Sequence, residues 1–141
     1  MTNNNEGGAK MEVQTMVETK VQVQVQGPVR RFHHEGLAAY GFARAATQFV
    51  LARRAKLRGL PGEAGPQLER AVVGAQTNLC SGAAHGGAEA RRHFRNALSE
   101  ATEAGGALDI VFDSKAFDLD EYTALRTILL RLCATLYGLS K

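Results

Sequence analysis

Two periods of hydrophobic spacing divide this chain. In "EVQTMVETKVQVQVQ", residues 12–26, Val13, Thr15, Val17, Thr19, Val21, Val23 and Val25 alternate with glutamine, glutamate and lysine, broken once by Met16. Period two in β-branched residues predicts an extended, β-like arm with one apolar face. Gly27-Pro28 ends it. No second strand pattern follows, and a lone strand cannot satisfy its own backbone. The arm must fold on itself, lie on the helices, pair with another copy or stay disordered. Pairing between copies is the preferred expectation, with Val13, Val17, Val21, Val23 and Val25 as the oligomerisation face.

After Arg30 the spacing changes to threes and fours. A first helix is predicted over about Phe32–Arg58, with Ala39, Phe42, Ala46 and Phe49 on its stripe. "GLPGEAGP" breaks it. A second helix is expected from Gln67 to Ser81 on Leu68, Val72, Ala75 and Leu79. A third begins near Ala88 and carries Phe94, Leu98, Ala101, Gly105, Leu108 and Phe112. Asp118 with Glu121 three residues on has the form of a capping box. It opens a fourth helix on Tyr122, Leu125, Leu129, Leu132, Leu136 and Leu139. Seams of this period favour near-parallel packing. The expected fold is therefore all-α: an antiparallel up-down four-helix bundle over residues 29–141, preceded by a disordered tail (1–11) and the arm (12–28). Apolar residues beside the seams, Ile110, Val111, Ile128, Leu130, Cys133 and Tyr137, suggest contact with another subunit, or a wide internal core.

Composition limits the function classes. With 141 residues the chain can bury a core without staples. Its two cysteines, Cys80 and Cys133, lie far apart in apolar stretches and are expected to be reduced core thiols. The first residues lack the apolar region of a signal peptide, and no apolar run reaches the roughly 20 residues of a membrane span. A soluble, cytoplasmic protein with no membrane partner is the expectation. The net charge of +3 is unevenly spread. Residues 30–95 hold eleven Arg or Lys against four acids, a net of +7, whereas residues 96–141 carry a net of −3. Arg53, Arg54, Lys56 and Arg58 fall within six residues. Such a cluster can meet phosphate, or it can be a solvated helix end complementing the dipole.

The stretch "NLCSGAAHGG", residues 78–87, gathers a cysteine, a serine and a histidine. A nucleophile there needs an oriented base, and a glycine-rich hinge positions His85 poorly. No strand precedes Ser81, so the hydrolase elbow is absent. The stretch is expected to be a turn, with Gly82 as a left-handed helix cap. His33, His34, His85 and His93 show no Cys-x-x-Cys, His-x-x-x-His or Glu-x-x-His pattern, so no metal is expected. Gly59, Gly62 and Gly65 are not followed by Gly-Lys-Ser/Thr, so no phosphate-binding loop is predicted and no cofactor is implied. Arg70, Asn78 and Glu103 are candidates for a polar network between the second and third helices, with solvation of each as the alternative.

Residues 67–110 resemble a known family. The pattern Gln-Leu-x-Arg-Ala, a helix end on Asn-Leu with a following Gly, then Phe, Ala-Leu and Glu, falls on Gln67, Leu68, Arg70 and Ala71; on Asn78, Leu79 and Gly82; and on Phe94, Ala97, Leu98 and Glu103. It is similar to the bacterial four-helix-bundle proteins encoded in intervening sequences of large-subunit ribosomal RNA genes. It is also similar to the accessory variability proteins of diversity-generating retroelements. Cys80 and Ser81 stand where the family has Ala-Glu, and the arm has no counterpart. The resemblance, over roughly residues 37–140, implies a ring-shaped homopentamer with a basic surface and no enzyme activity, some relatives binding nucleic acid and a protein partner. On this basis the expected function is a non-enzymatic oligomeric adaptor that holds RNA or DNA by its phosphates, through Arg44, Arg53, Arg54, Lys56, Arg58, Arg91, Arg92 and Arg95. The alternative is a structural assembly protein whose arm pairs subunits or captures a partner's sheet edge.

Overall fold

The turns fall where glycine and proline concentrate, and α-helices occupy the intervals between them. A computed structural model describes residues 31–141. The expected tail and arm, including Val13, Val17, Val21, Val23 and Val25, lie outside the described residues. Within those residues the chain is all-α, with helices α1 (Ala38–Ala52), α2 (Ala64–Ala83), α3 (Gly87–Asp113) and α4 (Leu119–Leu139). None of these helices is long and apolar enough to cross a membrane.

The α2–α3 pairing is the most extensive, followed by α3–α4, while α1 packs on both α2 and α4. Cross-helix contacts give the directions. Gly82 meets Phe94 while Gly74 meets Glu100, so α2 and α3 run antiparallel. Tyr122 bonds Asp109 while Arg95 reaches Ser140, so α3 and α4 do too. The core between the helices holds Val50, Leu68, Val72, Leu79, Leu108, Leu125, Leu132 and Leu136, joined by Phe117 from the α3–α4 turn.

The stripe predicted for α2 is buried throughout, and Leu125, Leu129, Leu132 and Leu136 form the buried face of α4. The capping box also forms: Glu121 N donates to Asp118 Oδ1 (2.8 Å) and Asp118 N donates to Glu121 Oε1 (3.0 Å). Three expectations are corrected. The first helix is not continuous over 32–58. A 3-10 turn at His33–Gly36 precedes α1 and another at Arg54–Leu57 follows it. The tighter second turn carries Leu57 into the core against Gly65 at the start of α2. α3 is turned somewhat from its predicted stripe. Phe94, Ala101 and Leu108 are buried as expected, but Ala90, Ala97, Ala104, Ala107 and Val111 join them, whereas Leu98, Gly105 and Phe112 only flank the core. Small side chains let α3 approach α2 closely. Finally, Gly82 does not cap α2 but lies inside it, where a Cβ would stand 2.6 Å from the Phe94 ring. The left-handed residue of the turn is Gly87 (φ 58°).

Candidate nucleic-acid interface

The cations singled out in the sequence do not form one patch. Arg53, Arg54, Lys56 and Arg58 gather where α1 ends and α2 begins. Arg91, Arg92 and Arg95 lie on the first turns of α3, toward the opposite end of the molecule. Arg53 contacts Glu121 in the first turn of α4, and Arg95 contacts Ser140 just past its C-terminal end. At 1.5 Å per helical residue, those contact points are about 28 Å apart. Arg44 stands on α1 beside a shallow groove that also takes in Arg31, Glu35, Tyr40 and Gln48.

Several of these charges are already paired. Lys56 Nζ and Arg53 Nε both reach Glu121 Oε2, at 2.7 and 2.9 Å. Arg53 also donates to the Phe49 carbonyl and lays its guanidinium 3.6 Å from the Phe49 ring centroid. The Lys56 bond above all, then the Asp118 N–H and Arg53, hold the Glu121 carboxyl down at about 2, against a partial desolvation that opposes them. Arg54 pairs with Glu69 (2.9 Å) and Arg92 with Glu89 (2.6 Å). Arg95 donates to the Ser140 carbonyl at 3.3 Å. Arg91 and Arg58 are exposed and enter no ion pair among the described residues.

Sequence reasoning missed one cation at this end. Arg70 does not join a network. Asn78 Nδ2 donates to the Gly74 carbonyl of its own helix (3.1 Å), and Arg70 and Glu103 are both exposed without an ion pair among the described residues. Arg70 instead borders a groove of about 440 Å3 together with Arg54, Arg58 and Glu69, also lined by Leu57, Gly65 and Pro66. Three arginines against one glutamate give it a positive balance. It also opens at the N-terminal end of α2, where the helix dipole favours an anion. The signal was available, since Pro66, Glu69 and Arg70 share one face of a helix.

A second groove, of about 830 Å3, runs between α2 and α3. Arg70, Glu100 and Glu103 border it, and Val73, Gly74, Gly106 and Ile110 line its apolar part. Of the residues expected to flank the seams, Ile110, Leu130 and Tyr137 are exposed, Ile128 and Cys133 are half-buried, and Val111 belongs to the core. Cys80 and Cys133 are half-buried rather than in the core, and that partial burial pushes both thiols above the usual cysteine value. No protein-family model matches the chain, and no curated protein matches it.

Proposed function

We propose that this chain is an up-down four-helix-bundle adaptor, without enzyme activity, that assembles into a homo-oligomer and holds RNA or DNA by its phosphate backbone. The observation that carries the reading is the groove of Arg54, Arg58 and Arg70 at the start of α2. Guanidinium groups match phosphate bidentately, and the α2 terminus adds its partial positive charge. No aromatic side chain lines the groove, so base stacking and sequence readout are not expected. One such groove neutralises few phosphates. A ring, of five copies if the family resemblance holds, repeats it, and affinity grows with the number of counterions released.

A salt titration of binding to mixed-sequence RNA and duplex DNA tests this, with the oligomer's mass recorded alongside. Binding is expected at micromolar concentration and to fall steeply between about 50 and 200 mM salt. The double variant Arg58→Ala/Arg70→Ala should weaken binding equally across sequences. It should also flatten the log–log salt slope on duplex DNA by about 0.9 for each phosphate that the variant no longer neutralises. An intact oligomer that binds neither nucleic acid at about 50 mM salt, where counterion release is most favourable, refutes the reading.

The exposed apolar residues favour a second reading, a structural assembly protein. Val73 and Ile110 share the α2–α3 groove, and Leu130 and Tyr137 stand on α4. Here the 12–28 arm mediates assembly. Deleting residues 1–27 then abolishes higher assembly, whereas under the first reading it leaves nucleic-acid binding mostly intact.

A further inference from the structure

The turn between α2 and α3 brings together three groups that no part of the reading above uses. His85 lies just beyond α2, and Glu89 and His93 stand one turn apart on α3. One ligand atom from each falls within 4.8 Å of the other two. Glu89 Oε2 and His93 Nε2 are 3.2 Å apart. Two ligands about 2.0–2.1 Å from a tetrahedral zinc ion stand about 3.3 Å from each other, so this edge of the coordination shell is nearly in place. The His85 and His93 rings stack with centroids 5.2 Å apart and planes 30° from parallel.

Each ring leaves Nε2 as its available ligand atom. His85 Nδ1 lies 2.7 Å from the Ser81 carbonyl oxygen. A carbonyl only accepts, so Nδ1 is the donor there and Nε2 is the ring nitrogen left for a ligand. This is the orientation that an outer-shell carbonyl imposes on a metal-ligating histidine. His93 Nδ1 is buried without a hydrogen-bond partner. A positive charge is already drawn to the spot: Arg92 NH2 lies 2.6 Å from Glu89 Oε2 and 3.5 Å from His93 Nε2. The positive end of α3 and the negative end of α2 meet there and offset one another.

We propose that His85 Nε2, the Glu89 carboxylate and His93 Nε2 form a binding site for one zinc-class divalent transition-metal ion, with the remaining coordination position open to water. Two imidazoles and a carboxylate suit zinc over magnesium or calcium, which take oxygen ligands. Sequence reading expected no metal here because the spacing is His-x3-Glu-x3-His and crosses a turn, so neither the His-x-x-x-His nor the Glu-x-x-His template applies. The ion would tie the α2–α3 turn to the body of α3. Arg92 is its competitor and must swing away.

The test is calorimetric titration of the full-length, tag-free chain with zinc chloride, after chelator treatment and removal of the chelator. One zinc per chain is expected. His85→Ala and Glu89→Gln, both at exposed positions, should each weaken binding at least about 10-fold, the loss that even outer-shell changes cause. Arg92→Gln should tighten it, and His33→Ala/His34→Ala should leave it unchanged. Zinc should raise the melting temperature of the parent chain and not that of His85→Ala. Absence of binding at about 100 µM zinc, a concentration far above what a structural zinc site needs, overturns the proposal. So does equal affinity in His85→Ala, loss of affinity in the His33/His34 variant, or weaker binding by Arg92→Gln.

Discussion

Replacing Gly65 by alanine should cost about 2 kcal/mol, as expected when a tightly packed core is overfilled. A Cβ at this position would stand 2.7 Å from Leu57 Cβ and 2.8 Å from the Leu57 carbonyl carbon, with the carbonyl oxygen closer still. Carbon atoms settle at about 3.5–4.0 Å, so the two segments must part by on the order of 1 Å. The obstacle is main chain, and no rotamer change relieves it. Either α2 shifts and disturbs Ala64 and Leu68, both fully buried, or the Arg54–Leu57 turn lifts and Leu57 leaves the core. Overpacking a core costs about 1–3 kcal/mol, and exposing a leucine about 1.5–3 kcal/mol. The chain takes the cheaper route, which still consumes a sizeable part of the roughly 5–15 kcal/mol that holds a domain folded. Gly41 is the control. It is exposed within α1 with nothing within 4 Å of its Cβ position, so Gly41→Ala should stabilise by about 0.5–1 kcal/mol. Urea unfolding followed by circular dichroism, at one protein concentration because oligomerisation shifts stability, measures both. A Gly65→Ala variant within about 0.5 kcal/mol of the parent, the scatter of neutral surface changes, would refute this account of the turn.

Two further outcomes follow from the titrating groups. The Glu121 carboxyl is lowered from 4.5 to about 2 in the folded chain. A depressed carboxyl contributes its stability above the unfolded value and loses it as pH falls from about 4.5 toward 2. Full linkage would be worth about 3 kcal/mol. Lys56 and Arg53 keep about half and a third of their side chains in water, and that screening reduces it to about 1–2 kcal/mol. Glu121→Gln keeps an oxygen for the cap but removes the charge, so the stability gap between parent and variant should close by that amount between about pH 5 and pH 2. A gap independent of pH contradicts the ion pairs. The raised thiols of Cys80 and Cys133 should react with a disulfide reagent at about pH 8 more slowly in the folded chain than in urea; equal rates would show that they are not shielded.

Regular spacing and local chemistry made some of this legible in advance. Leu68, Val72, Ala75 and Leu79 repeat at helical intervals, and Asp118 and Glu121 carry their cap within four residues, so both could be read directly. The rotation of α3 could not. Alanine is neither clearly apolar nor polar in a periodic pattern, and only the surfaces packed against α3 decide that Ala97 and Ala104 face inward while Leu98 is only half-buried. The same holds for the candidate interface. The cluster at Arg53–Arg58 was visible, but its neutralising partner Glu121 is 65 residues from Lys56. The third arginine of the groove comes from another helix. Charge counted along a chain overlooks partners that only the fold supplies. Gly82 misled for a related reason: its lack of a side chain serves the approach of Phe94 and not a left-handed backbone.

The alanine face of α3 also constrains how this sequence can change. Across Ala97, Ala101, Ala104 and Ala107, each substitution other than glycine adds volume to a seam with little room for it. Glycine itself weakens a helix interior by roughly 0.5–1 kcal/mol. Single steps away from alanine are thus penalised in both directions, while the leucines of α4 can exchange with isoleucine or methionine at small cost. Among diverged copies of this chain, α3 should keep its small residues and α4 should carry most of the core's variation. A relative without the alanines must have moved α3 away from the helices packed on it.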